Sequence, residues 1–246
     1  MLSLAQRMLK RSRALLWLIG TLLGLWTAWA TLVLPRLEPT QGLEYHVRSF
    51  GVRLVLWVLP CAVFLWTQYG RNSLRPLQLG LPPTWYHWAW SLGVTSAATL
   101  AISLNVAREL GTTPGSVWER LLRNYSFEFP STPLFEELVF RGVVLASLLE
   151  IAMNPALLAP GVSTPPSPLS RWRAAWSANV LATVVFVGAH WPYWIYTEGF
   201  EKLAMKSLPV LLLSLVLGML FARGRSLWPC VLLHWANNEL SALVPT

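Results

Sequence analysis

ALLWLIGTLLGLWTAWATLVLP, residues 14–35, runs for 22 positions without a charged side chain. A helix that crosses the hydrocarbon core of a bilayer needs about 20 mostly apolar residues, so this stretch predicts a membrane span. The same pattern recurs along the chain. Leu54–Gly70 is free of charge for 17 residues, and no charged residue appears from Pro76 to Ala107, where Thr84–Ala107 is the predicted span. Ala174–Thr197 and Ser207–Ala222 are also free of charge. Two further apolar stretches, Thr132–Met153 and Ser226–Thr246, are interrupted by Glu, Arg, His and Asn. The expected fold is all-α: a polytopic membrane helix bundle of about seven spans, with Gly111–Phe129 open as an eighth helix. Loops between spans are short, so residues 1–246 are expected to form a single integral-membrane domain.

Composition agrees. Of 246 residues, 12% are charged and 54% hydrophobic, with fifteen Trp and a mean hydropathy of +0.48. All eleven acids are glutamates. The lack of aspartate excludes catalytic Asp dyads, Asp-bearing triads and Asp-based Mg²⁺ or EF-hand sites. The formal net charge of +8 would suit a nucleic-acid partner, but the basic residues flank apolar helices, where anionic lipid headgroups are nearer. Membrane lipid is therefore the expected partner, and no nucleic acid. Cys61 and Cys230 lie within apolar segments and read as small core residues. The proline-rich Asn154–Ser170 reads as an irregular connection, and Val117–Phe129 as an interfacial amphipathic helix.

Arg7, Lys10, Arg11 and Arg13 before the first apolar run would also suit a signal peptide, with Ala28-Trp29-Ala30 as a cleavage site. The run exceeds the usual 7–15 residues of such a segment, so a retained anchor is expected. The expected location is the bacterial cytoplasmic (inner) membrane, with the N-terminus in the cytoplasm. Alternation through seven spans then puts ten basic residues and no acid on the cytoplasmic side. The other side receives eight basic residues with Glu38, Glu44, Glu109, Glu119, Glu128, Glu198 and Glu201. The positive-inside rule favours this orientation by a narrow margin.

Ionisable groups at membrane depth cost several kcal/mol on insertion scales and are functional candidates by default. They are Glu136, Glu137, Arg141, Glu150, His190, His234 and Glu239, with Asn237 and Asn238 beside them. Glu137 and Arg141 are four apart, share a helix face and can pair. Glu136, about 100° round the helix, has no such partner in its segment. An unpaired carboxyl in an apolar site is suited to proton transfer. His234 and Asn238 are again four apart. Glu136 near the start of the fourth span, His190 at the end of the fifth and His234–Asn238 in the seventh fall towards the same side of an alternating bundle. Convergence would give a hydrolytic set: a base for water, and donors for an oxyanion.

Three short motifs sharpen this. Glu136-Glu137-Leu138-Val139-Phe140-Arg141 fits EExxxR and is followed by Gly142; Phe186-Val187-Gly188-Ala189-His190 fits FxxxH; His234-Trp235-Ala236-Asn237-Asn238 fits HxxxN. In this order the chain resembles the CPBP family of intramembrane proteases, the CAAX-processing and bacteriocin-processing group that includes Rce1-like enzymes. The resemblance implies a catalytic core over about 130–240 with a conical intramembrane cavity. Its implied activity is endopeptidase cleavage of a membrane-associated peptide or protein, of CAAX-type prenylated or leader-bearing kind. On that analogy Glu136 and His190 activate water, while His234 and Asn238 stabilise the oxyanion. Glu137, Arg141 and Phe186 would support the site.

Members of the family are described both as metalloproteases and as glutamate-dependent enzymes. The absence of HExxH favours the second, with no cofactor required; if zinc is used, Glu136, His190 and His234 are its three ligands. A prenylated cytoplasmic tail would need the site to open to the cytoplasm, whereas the orientation above puts it nearer the other face. Two other classes stay open: a catalytically silent membrane partner or immunity protein, and a proton-coupled transporter, since intramembrane Glu, His and Arg also build proton relays.

Overall fold

The computed structural model describes residues 4–37, 42–123, 131–153 and 167–244, and every regular element among them is helical. Helix α1 (Leu4–Ala28) continues through a π-helical stretch, Trp29–Val33, and one tighter turn to Arg36. A second rod joins α2 (Gly42–Arg53) through another π stretch, Leu54–Val58, to α3 (Leu59–Tyr69). Then come α4 (Trp85–Glu109) and α5 (Pro114–Arg123). Helix α6 (Ser131–Glu137) passes through a third π stretch, Leu138–Leu145, into α7 (Ala146–Ala152). The chain ends in α8 (Pro168–Glu198), α9 (Leu203–Gly224) and α10 (Trp228–Ser241).

Five helical runs are long and apolar enough to cross a membrane: Leu9–Arg36, Phe50–Asn72, Trp85–Glu109, Pro168–Glu198 and Phe200–Gly224. They coincide with five of the seven expected spans. The fourth expected span is present as the continuous rod from Ser131 to Ala152, with Glu136, Glu137, Arg141 and Ser147 buried in protein. The seventh differs in length. Predicted over Ser226–Thr246, it is a 14-residue helix, about 21 Å at 1.5 Å per residue, and too short to cross ~30 Å of hydrocarbon by itself. It begins at the Trp228-Pro229 step and ends at Ser241, shortly after Asn237, Asn238 and Glu239.

The expected interfacial helix forms as α5, starting and ending earlier than Val117–Phe129; residues 124–129 lie outside the described ones. Its Val117 is fully buried against Val106 and Ala107 of α4 and Leu240 of α10. Leu122 faces outward. The expected connection Asn154–Ser170 ends where α8 starts at Pro168, and residues 154–166 lie outside the described ones, as do Glu38 and Glu128.

The α6–α7 rod is the central post of the bundle. All residues from Val139 to Leu145 are buried. One side, through Val139, Phe140 and Val143, packs on Leu15, Leu18, Leu22 and Trp26 of α1, Trp57, and Phe64 of α3. The other side, through Val144, Leu145 and Leu149, packs on Ala178 and Ala182 of α8, Leu217 and Leu220 of α9, and Val231 and Leu233 of α10. A helix covered on both sides by protein can carry charge that a lipid-facing helix cannot. The first span thus packs into the same core as the polar rod. Cys61 and Cys230 are buried free thiols, as expected.

The rod also has a direction. Glu136 lies near its start, and Glu150 near its end forms an ion pair with Arg11 of α1 and accepts a 2.7 Å hydrogen bond from the Tyr69 hydroxyl. The N-terminal end of α1 and the Glu136 end of the rod therefore lie at opposite ends of the bundle.

Close approach of α8 and α9 depends on Gly218. A Cβ there would lie 1.7 Å from Asn179 Oδ1, and Asn179 Nδ2 donates a 3.0 Å hydrogen bond to the Leu215 carbonyl. Gly218→Ala must displace that amide from the middle of the bundle. Overpacking of this kind costs about 1–3 kcal/mol, so the variant should unfold at lower temperature in detergent, as measured by thermal denaturation. An unchanged melting temperature would show that α8 and α9 can part without loss.

Candidate active site

Glu137 is fully buried and Arg141, one turn later, is 2% exposed; their side chains meet at 3.1 Å (Nη1 to Oε1). The other arm of the guanidinium, Nη2, donates to Ser214 Oγ at 2.9 Å and to the Ser214 carbonyl at 3.3 Å. Ser214 Oγ donates in turn to Thr183 Oγ1 at 3.0 Å. The flat face of the guanidinium lies 4.4 Å above the Phe186 ring, a cation–π contact strengthened by the absence of water. One buried cation thus ties the rod to α8 and α9.

Phe186 is the aromatic hub. Its ring meets those of Phe140 at 5.0 Å, His190 at 4.7 Å and His234 at 6.0 Å, all edge-on. Its carbonyl lies 2.8 Å from His190 Nδ1. A carbonyl can only accept, so Nδ1 carries the proton and a neutral His190 presents the Nε2 lone pair. That Nε2 lies 3.7 Å from Glu136 Oε2. The far side of the imidazole rests on Trp194, 5.1 Å away.

His234 is held in the same sense by a different acceptor. Its Nδ1 lies 2.8 Å from Glu137 Oε1, and its Nε2 lies 3.6 Å from Glu136 Oε2. Both imidazoles therefore donate through Nδ1 and converge through Nε2 on one carboxylate oxygen. These separations are too long for direct hydrogen bonds. They are close enough for one water to bridge the groups. Glu136 is 4% exposed and His234 5% exposed, so the cluster is almost wholly within protein.

The sequence-derived set is thus largely brought together: Glu136, His190 and His234 in one cluster, with Glu137, Arg141 and Phe186 bracing it. Asn238 is placed differently. One turn past His234 it is exposed, and its Oδ1 accepts from Asn237 Nδ2 at 3.3 Å. Glu239 accepts from Trp235 Nε1 at 3.1 Å. Among the described residues no group of three His, Cys, Asp or Glu side chains is arranged to hold a metal ion.

Several contributors escaped sequence reasoning. The His234–Glu137 hydrogen bond spans 97 positions, and Ser214 and Thr183 read as ordinary residues of apolar spans. No spacing signals such contacts, because they join different helices. Glu150, named among the ionisable candidates at membrane depth, is instead the partner of Arg11.

An all-helical bundle with several helices long and apolar enough to cross a membrane, and a buried Glu–His–His cluster, defines a polytopic membrane protein with ionisable groups gathered in its interior. Residues 121–240 match the family model described as type II CAAX prenyl endopeptidase Rce1-like. That match, over just under half of the chain, supports a place in the CPBP/CAAX protease family of intramembrane endopeptidases. No curated protein and no solved structure matches the chain.

Arg141 cannot be removed without leaving the Glu137 carboxylate deficient in compensation. Breaking a buried pair from one side costs about 3–5 kcal/mol. Arg141→Met should therefore lower the detergent melting temperature sharply, and Glu137→Gln in the same chain should recover part of the loss. A single variant as stable as the parent would show that the pair does not hold the rod.

Proposed function

We propose that this protein hydrolyses a peptide bond within the membrane by a glutamate-dependent route. The observation that carries the reading is the double convergence of His190 Nε2 and His234 Nε2 on Glu136 Oε2. On this reading Glu136, steadied by His190, takes a proton from water as its oxygen attacks the carbonyl carbon. The carbonyl becomes a tetrahedral oxyanion; when the C–N bond breaks, the held proton passes to the leaving amine.

His234 can stabilise the oxyanion only as a donor at Nε2, and so as an imidazolium. The Glu137 carboxylate on its Nδ1 fixes the orientation of the ring for that role, as a buried acid does for histidine in other hydrolases. Asn238, one turn further along the same face, would bring a second donor by turning its amide away from Asn237. Glu137 and Arg141 would hold the geometry, and Phe186 the mutual orientation of the two imidazoles. No resident metal is required; Glu136, His190 and His234 would be the ligands of a zinc ion if one were used.

We infer further that residues 1–246 form one integral-membrane unit with its catalytic core over about 130–240, the first span being retained. Burial of Leu15, Leu18, Leu22 and Trp26 against the polar rod supports that retention. We place the N-terminus in the cytoplasm of a bacterial inner membrane. The opposed positions of Arg11 and Glu136 then put the site in the other half of the bilayer. The substrate class is a membrane-associated peptide or protein, prenylated or leader-bearing.

Protein purified in detergent should cleave such a peptide. Glu136→Gln, His190→Ala and His234→Ala should each slow cleavage by at least about a hundredfold, the lower range for a positioned acid–base group, with melting temperatures near the parent's. Unreduced activity in Glu136→Gln would sink the mechanism. Loss of activity on exhaustive chelation, restored by zinc, would transfer the three side chains to a metal.

A further inference from the structure

His190 and His234 offer Nε2 to the same carboxylate oxygen, yet they are held unequally. His234 Nδ1 meets the Glu137 carboxylate at 2.8 Å, and the residue is 5% exposed. His190 Nδ1 meets a backbone carbonyl, that of Phe186 one turn back on its own helix, and its side chain is 22% exposed. One hydrogen bond to a neutral acceptor leaves an imidazole able to change its side-chain torsions. A ring that is both less firmly bonded and more open needs a second restraint to stay on Glu136.

Trp194 is placed to supply it. Residues four apart on a helix share a face, and long side chains there lean back towards the N-terminus. The indole therefore lies over His190, as the His190 ring lies over Phe186. The two contacts differ in kind. Phe186 meets the imidazole at 4.7 Å and 64°, edge-on. Trp194 meets it at 5.1 Å and 37°, nearer to parallel, and so covers its face. The indole is itself 9% exposed, held by the core behind it.

We propose that Trp194 is a positioning residue: its indole blocks the outward swing of His190 and keeps Nε2 directed at Glu136. It acts through His190 and does not touch the reacting atoms. The purpose of that alignment rests on the peptidase reading.

The chain holds four histidines, so isotopic labelling of histidine nitrogen in the full chain in detergent gives a simple spectrum, with His190 assigned by its loss in His190→Ala. The ring nitrogens are read at a pH where the imidazole is neutral, and cleavage of a prenylated peptide is followed separately. In the parent, His190 should show one tautomer, protonated at Nδ1. Trp194→Phe keeps a flat ring over the imidazole and should retain that tautomer and most of the rate. Trp194→Leu and Trp194→Met remove the ring, and both tautomers should then appear. In these two variants kcat should fall by about a hundredfold, the cost of a misplacement of about 1 Å, with KM near the parent's. A single Nδ1 tautomer in both of them overturns the proposal. A loss of rate in Trp194→Phe as large as in Trp194→Leu overturns it too, as does a rise in KM alone, which would put the indole on the substrate. Collapse of the melting temperature in both Trp194→Leu and Trp194→Met would assign the indole to the core and count equally against it. Mixed tautomers in those variants, with no cleavage by the parent, would leave Trp194 in its role beside His190 and remove the peptidase reading instead.

Discussion

A guanidinium inside a bundle whose outside is lipid must be neutralised by protein, and Arg141 is the group around which this structure is arranged. Its charge is met by Glu137, its second arm by Ser214, and its face by Phe186. Those three residues belong to the central rod, α9 and α8. Satisfying one side chain thus sets the relative positions of three helices. Lipid offers little hydrophobic drive for helices to associate, so packing and polar contacts of this kind must decide the arrangement. The Asn179–Gly218 approach and the Ser214–Thr183 hydrogen bond seal the same interface.

The arrangement also separates two adjacent glutamates by role. Glu137 faces Arg141 and His234, and its Oε1 is held by both. Glu136, turned by one residue, faces the two Nε2 atoms. Position on the helix makes the difference, since chemically the two are identical. The histidines are likewise distinguished by what sits behind them: a backbone carbonyl for His190, a carboxylate for His234.

Much of this was legible in the residue pattern. Spans one, two, three, five and six were readable because lipid imposes a simple demand, about 20 apolar residues without charge. The i, i+4 pairing of Glu137 with Arg141 was readable because it lies within one helix. Order and spacing of the three motifs marked Glu136, His190 and His234 as a set. Less legible was α10, whose apolar run continues past its helix, so its true length of 14 residues was overstated. The exposed position of Asn238 was also hidden, because spacing alone gives the face of a helix and not what covers it. The second partners of Arg141 and of Glu137 were invisible for a related reason: they come from helices 73 and 97 positions away.

By itself, then, the amino-acid sequence determined that the chain is helical and embedded in lipid, and which few ionisable side chains pay the cost of being there. Hydropathy and helical spacing are local properties, and local properties survive without a partner. The tertiary structure alone decided how those side chains are used. Only packing brings Glu137 to His234, and only packing sets His190, which meets the Phe186 carbonyl one turn back on its own helix, beside Glu136. The two contacts to an acceptor behind the ring turn both imidazoles so that their free nitrogens meet at Glu136.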